Sequence, residues 1–262
     1  MTGASMSARS RAGRVPAKRA VVTAAPETGN PNGGSRPGPG VARTQSMSAL
    51  VLLSGGLDST VAATFHAARS GPVKLGLCID YGQRAAVREA QAADAVGRAL
   101  GFAVRHATLP LLAEITRTAL VRREVPLPQP EPERLDRDAP AMADAVWVPN
   151  RNGLLVNLAA ALAEAQGLEV VVVGFNAEEA QTFPDNSSRF VDHLNACLRE
   201  STRGRVRVEA PLVGLTKAQL VTEGRRVGAP LHLAWSCYEG GATPCGRCES
   251  CRRRQRAESA AL

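Results

Sequence analysis

The sequence predicts an α/β protein, a doubly wound and mostly parallel sheet with a short cysteine-bearing segment at its C-terminal end. Three observations carry this expectation. Short aliphatic runs alternate with helical segments along most of the chain, and strands separated by helices of that length pair in parallel with helices on both faces. The first aliphatic run passes directly into a glycine-rich turn and then a helix. Four of the six cysteines crowd one stretch near the end.

The elements follow in order. Residues 49–53 read as a buried strand, followed by a glycine turn and a helix reaching Arg69. Residues 73–79 form a second strand, 85–100 a strongly helical run and 103–107 a third strand. Residues 154–166 are helical, and 169–173 make the plainest buried strand in the chain. Residues 188–200 are helical and 206–209 form a short strand. The segment 217–227 is a helix ended by Gly228 and Pro230. Ligands of such a sheet belong at the carboxyl ends of its strands.

Two stretches stand outside this alternation. Residues 1–46 are rich in Gly, Pro, Ser, Ala and Arg with few large apolar groups. They cannot repay the entropy of ordering and are expected to be a disordered extension. Residues 125–141 hold Pro126, Pro128, Pro130, Pro132 and Pro140 and read as a surface loop or lid. The expected organisation is a tail over 1–46, an α/β domain over 47–234 and a cysteine segment over 235–262.

The net charge of +8 is concentrated at the ends. Arg9, Arg11, Arg14, Lys18, Arg19, Arg36 and Arg43 face only Glu27 in the first stretch, and Arg252, Arg253, Arg254 and Arg256 cluster near the other end. A basic tail binds nucleic acid weakly and without specificity, so charge alone does not define a nucleic-acid site. No apolar run approaches the roughly 20 residues that span a bilayer.

The turn after the first strand reads Ser54-Gly55-Gly56-Leu57-Asp58-Ser59-Thr60. Its glycines let main-chain N–H groups approach an anion. Its hydroxyls add donors, and the helix N-terminus adds partial positive charge. A plain helix start could also use Asp58 or Ser59 as a cap. The loop lacks the Gly-Lys-Ser/Thr ending of a Walker A motif. It suits holding pyrophosphate as a leaving group, and the full run resembles the PP-loop signature of ATP-dependent adenylating enzymes.

Cys237, Cys245, Cys248 and Cys251 include two overlapping C-x-x-C units. Four thiolates in one compact loop suit tetrahedral zinc, and four protein ligands leave no open position, so a structural role is expected. An iron–sulfur cluster is the rival, and disulfides require an oxidising compartment. Cys78 and Cys197 lie within apolar patterns and read as core thiols. A zinc ribbon contacting nucleic acid through the arginines after Cys251 is the reading from another functional class, but it leaves the glycine loop unexplained.

Further motifs join these two: Asp80-Tyr81-Gly82-Gln83-Arg84, Val148-Pro149-Asn150-Arg151-Asn152, Gly174-Phe175-Asn176-Ala177-Glu178, Phe183-Pro184-Asp185, Leu215-Thr216-Lys217 and Trp235-Ser236-Cys237-Tyr238. With them, the chain from Ala49 onward resembles the 7-cyano-7-deazaguanine synthase family of the queuosine pathway, within the PP-loop ATP pyrophosphatases. The resemblance implies a PP-loop α/β fold, one structural Zn2+ per subunit, a homodimer and a cytoplasmic site. It also implies ATP with Mg2+, 7-carboxy-7-deazaguanine as substrate, and ammonia as the amine that displaces AMP from an acyl adenylate. A second activation and dehydration would give the nitrile.

The candidate roles follow the matched positions. Leu53, Ser54, Gly55, Gly56, Leu57, Asp58, Ser59, Thr60 and Asp80 are the ATP candidates, with Asp58 also a magnesium contact. Arg151 and Lys217 would stabilise charge on the α-phosphate. Tyr81, Gln83, Asn176, Glu178 and Asp185 would read the substrate, a carboxylate being the natural partner of a guanine-like N–H edge. The chain departs from the family pattern at Ala85, Ala180, Asn186 and Ser187, with Arg189 the candidate substitute for a lost arginine. These positions bear on the base pocket. A paralogue that acts on another carboxylate, or stops at the amide, is therefore the alternative.

Overall fold

The central strands of this chain are hydrophobic on both sides, and that settles where they sit. In β1 (Ala49–Leu52) the side chains of Ala49 and Val51 enter one core layer, and Leu50 enters the layer on the opposite face. In β4 (Val170–Val172), Val170 and Val172 face the first layer and Val171 the second. A strand with no polar face can only be central, covered by helices on both sides.

The structure, a computed structural model, describes residues 47–261. The expected disordered stretch 1–46 lies outside the described residues. β1 and β4 pair in parallel and are flanked by β2 (Val73–Asp80), β3 (Ala103–Thr108) and β5 (Arg207–Glu209). The five parallel strands run in the order β3-β2-β1-β4-β5. α1 (Leu57–Arg69), α2 (Ala86–Leu100), α7 (Lys217–Arg226) and α8 (Glu249–Ala260) cover one face. α5 (Arg151–Ala165) and α6 (Ser188–Ser201) cover the other. This is the expected doubly wound sheet. After β1 the chain winds towards β2, and after β4 towards β5, so the crevice between their carboxyl ends is the topological switch point.

The expected strands and long helices fall within a few residues of their observed ends. Three helices do not follow from periodicity. α3 (Pro110–Ile115) is short, and α4 (Ala139–Val146) begins inside the proline-rich stretch. Pro140 occupies the first turn of α4, where its missing N–H costs nothing. Within 125–141 the chain also forms a 3-10 turn at Pro132–Arg134 and buries Leu127 and Leu135. α8 has no continuous apolar stripe; the pairs Glu249–Arg253 and Arg254–Glu258, four residues apart, support it instead.

The cysteine segment is built into the domain. Ala257 of α8 belongs to the main core, and Trp235 N–H donates to the Gly55 carbonyl at 2.8 Å. Gly240 has φ +68°, and a Cβ there would lie 2.5 Å from the Arg84 carbonyl oxygen, so only glycine permits this approach. Among the described residues no helix is long and apolar enough to cross a membrane.

Candidate active site

The loop after β1 is shaped by two close approaches. Gly55 adopts φ +70°, and a Cβ at that position would lie 2.5 Å from the Ala93 amide nitrogen of α2. On the other side, a Cβ on Gly174, just past β4, would meet the Ser59 nitrogen at 2.7 Å. Glycine at both positions lets the loops of the two switch-point strands close on the start of α1. Thr60 Oγ1 donates to the Gly56 carbonyl at 2.7 Å, and the Ser54 and Ser59 hydroxyls lie 3.2 Å apart. The first-turn N–H groups of α1 therefore open towards the crevice, where an anion is favoured.

Two cations stand at helix starts, where the helix dipole disfavours them. Lys217 is the first residue of α7, set there by a capping box between Thr216 and Gln219. Arg151 begins α5 after Asn150, which takes φ 51°. Lys217 is only 7% exposed, and its Nζ lies 3.0 Å from Asp58 Oδ2 and 2.8 Å from Glu179 Oε1. Its backbone N–H donates to Glu178 Oε1 at 3.0 Å. Burial would lower the Lys217 pKa, but Asp58 and Glu179 overcome it and hold the ammonium charged.

The two carboxylates share that cation unequally. Burial pushes Asp58 up to about 6 against the pull of Lys217, with Glu179 adding to the rise, and Asp58 Oδ1 is buried without a hydrogen-bond partner. Burial also presses Glu179 upward, but Lys217 outweighs it and leaves its carboxyl below the usual range. Arg151 donates to the Tyr81 hydroxyl at 3.2 Å and sits over its ring. Tyr81 is raised by burial, partly offset by Arg151.

These groups surround one cleft of about 250 Å3, far larger than the roughly 30 Å3 share of a single water. Leu53, Ser54, Gly56, Leu57, Asp58, Ser59, Tyr81, Arg151 and Lys217 line it. Glu178 lines a smaller adjoining cavity that shares Arg151, Glu179 and Lys217. The remaining candidates stand behind the wall. Gly55 and Thr60 shape the loop. Asp80 Oδ1 accepts the Gly82 N–H, and Asn176 Oδ1 accepts the N–H groups of Glu178 and Glu179. Gln83 bonds the Tyr81 N–H, the Ile79 carbonyl and Glu89. The Asp185 carbonyl oxygen accepts from Asn152.

Of the departures from the family pattern, Asn186 lines the cleft. Ala85 is buried beneath Gly240, and Ser187 caps α6 by accepting the Phe190 N–H. Arg189 is exposed and does not reach the cleft. Sequence reasoning missed Glu89, Glu179, Tyr238 and Ser250, which line the wall. Glu89 was hidden as one polar residue within a helix, and Glu179 stands just past the Gly174–Glu178 motif. Tyr238 lay in a quoted motif without a role.

The four cysteine Sγ atoms all lie within 4.8 Å of one another, and Cys237, Cys248 and Cys251 are buried. A tetrahedron of sulfurs at about 2.3 Å from one ion has edges of about 3.8 Å, so the cluster could hold a metal. The Cys245 N–H points at Cys237 Sγ and the Cys248 N–H at Cys245 Sγ, both at 3.3 Å. Three of the four arginines that follow are engaged within the chain. Arg253 pairs with Glu249, and Arg256 with Asp136 and Glu178. Arg254 donates to the Ala234 and Leu231 carbonyls.

A glycine-rich anion loop entering a helix at the switch point of a parallel sheet, faced by a buried lysine, defines a PP-loop protein of the ATP pyrophosphatase type. Within that class, residues 48–261 match the family described as queuosine biosynthesis protein QueC, and the chain belongs to this family. It is 50% identical over 219 residues to the 7-cyano-7-deazaguanine synthase of Desulforudis audaxviator, covering 82% of this chain and 98% of that one. It is also 50% identical to the enzyme of the same name from Desulforamulus reducens, over 80% and 93% of the two chains. For the synthase of Methanosarcina mazei the identity is 45%, again over 80% and 93%.

Proposed function

We propose that this chain is an ATP-dependent ligase that converts 7-carboxy-7-deazaguanine and ammonia to 7-cyano-7-deazaguanine. The observation that carries the reading is the single cleft in which the phosphate loop, Lys217 and Arg151 meet an aliphatic wall. The names of the relatives supply the product, 7-cyano-7-deazaguanine. A carboxylate is a poor electrophile, and ATP gives it a leaving group. The substrate oxygen attacks the α-phosphorus, the bond to the β-phosphate breaks and pyrophosphate departs with its electron pair. Ammonia then attacks the acyl carbon, AMP leaves and a proton is released. A second ATP activates the amide oxygen, and loss of AMP and a proton gives the nitrile.

The N–H groups from Ser54 to Thr60 and the α1 N-terminus would hold the phosphates, while Lys217 and Arg151 offset the charge that develops at the α-phosphate. Asp58 lines the cleft and its Oδ1 has no hydrogen-bond partner, so it would be the carboxylate to contact an ATP-bound Mg2+. Cys237, Cys245, Cys248 and Cys251 fit one Zn2+, whose tetrahedral coordination they complete, so its contribution is structural. That contribution reaches the cleft directly, because Trp235, Ser236, Tyr238, Ser250 and Arg254 line it from the same segment.

The test is mass spectrometry of products after incubation with ATP, Mg2+, ammonium and the acid. Nitrile with AMP and pyrophosphate is expected. Nitrile formed with ADP refutes the adenylate route, and no turnover of this acid refutes the substrate.

A further inference from the structure

The carboxylates that line the cleft differ in what they are already bonded to. Asp58 and Glu179 are held by Lys217. In the adjoining cavity, Glu178 is held by Arg256 and the Lys217 amide, and Glu249 by Arg253 and the Tyr238 hydroxyl. Glu89 is the exception. Its Oε2 accepts from Gln83 Nε2 at 2.8 Å, and no hydrogen bond or ion pair among the described residues reaches its Oε1. That oxygen is also absent from the fully buried, unpartnered atoms, so it is not sealed off, and Glu89 is a lining residue of the cleft.

Gln83 is in turn locked by the Tyr81 amide and the Ile79 carbonyl, so the Glu89 carboxylate is fixed in place by the strand end of β2. Leu77, Ile79, Tyr81 and Leu155 line the same cleft and give it a largely apolar surface against which a flat heterocycle can lie. An immobilised carboxylate with a free oxygen and no cation in contact, in a cleft with apolar walls, suits a neutral pair of N–H donors better than a metal or a phosphate.

We propose that Glu89 is a specificity-determining residue that accepts hydrogen bonds from the adjacent ring N–H and exocyclic amino group of the heterocyclic acid. Gln83 is its positioning residue. The inference rests on the reaction proposed above. Recognition of a polar edge by a buried acceptor discriminates strongly, because an analogue without the donor leaves the acceptor unpaired. An exocyclic amine could also come from the adenine of ATP, and the two sources predict different kinetics.

The experiment compares wild type, Glu89→Gln and Gln83→Leu, each checked for an unchanged circular dichroism spectrum. Three parameters are measured: KM for the acid, KM for ATP, and the preference for the acid over its analogue lacking the exocyclic amino group. For Glu89→Gln the KM for the acid should rise roughly tenfold to a hundredfold, the range for a hydrogen bond to a charged group. Its KM for ATP should stay within about twofold, and its preference for the amino-bearing acid should collapse. Gln83→Leu should reduce that preference in part.

A rise in the KM for ATP alone would assign the carboxylate to adenine and overturn the inference, as would a Glu89→Gln enzyme that keeps the wild-type preference. Should the variants not fold, wild type alone decides, since equal use of the two acids sinks the inference. A wild-type chain that turns over neither acid sinks the proposed reaction itself, which keeps the two failures apart.

Discussion

Replacing Lys217 by methionine removes one cation from between two carboxylates and keeps most of the packing. In the native chain its ammonium lies 3.0 Å from Asp58 and 2.8 Å from Glu179, in a side chain only 9% exposed. Breaking a buried pair by deleting one partner costs about 3–5 kcal/mol, because the remaining charge is left uncompensated. The carboxylates can limit this cost by taking up protons. Asp58 already titrates at about 6 with the lysine present, so keeping it protonated at pH 7.5 costs at most about 2 kcal/mol. The expected loss for Lys217→Met is therefore about 3 kcal/mol at pH 7.5.

The loss should also depend on pH with a definite sign. Without Lys217 the pKa values of Asp58 and Glu179 both move up in the folded state. A carboxylate raised on folding stabilises the folded state at low pH and loses that contribution as the pH rises. Each additional proton held by the folded variant narrows its deficit by about 1.4 kcal/mol per pH unit on acidification. Urea unfolding followed by far-ultraviolet circular dichroism, on metal-replete protein at pH 7.5 and pH 6, measures both terms. A loss under about 1 kcal/mol, or a deficit that does not narrow at the lower pH, would refute this account of the buried triad.

Three other outcomes are expected. Gly174→Ala places a Cβ 2.7 Å from the Ser59 nitrogen and 2.8 Å from the Asp58 carbonyl carbon; these are backbone atoms that cannot rotate away. It should cost about 1–3 kcal/mol and weaken ATP binding by calorimetry, whereas unchanged affinity would mean the loop contact is immaterial. Cys245→Ser, or a strong chelator, should lower both the thermal midpoint and ATP turnover, because the cysteine segment forms a wall of the cleft. Elemental analysis should give one zinc per chain in the native protein and markedly less in the variant. Finally, turnover should fall as the pH drops through about 6, where Asp58 takes a proton and weakens its hold on Lys217. Asp58's own stability contribution, by the same raised pKa, is full below about 3.8 and lost as the pH rises through about 6. Asp58→Asn should abolish that limb of the pH–rate profile, and a profile unchanged in the variant would assign the limb to another group.

The sequence by itself determined the framework. Uninterrupted runs such as Ala49-Leu50-Val51-Leu52 and Val170-Val171-Val172 have no polar face to offer water, so their place at the centre of a two-layered parallel sheet follows from composition alone. The glycine loop and the four cysteines were equally legible, because each is a local run whose spacing constrains what it can bind. What the tertiary structure decided is which separated side chains share the crevice. Lys217, Asp58 and Glu179 come from three different elements, and only the packing of α7 against α1 and the β4 loop turns them into one buried triad.

The same packing assigned the polar motif residues that sequence alone left interchangeable. Asn176 spends its side-chain oxygen on the Glu178 and Glu179 N–H groups, and Gln83 holds backbone and Glu89, while Glu89, unremarkable within its helix, lines the cleft with one oxygen free of protein partners. A linear pattern records residue types and local periods. It cannot record which of several carboxylates already has a partner, because those partners arrive from distant parts of the chain and are fixed only when the layers close.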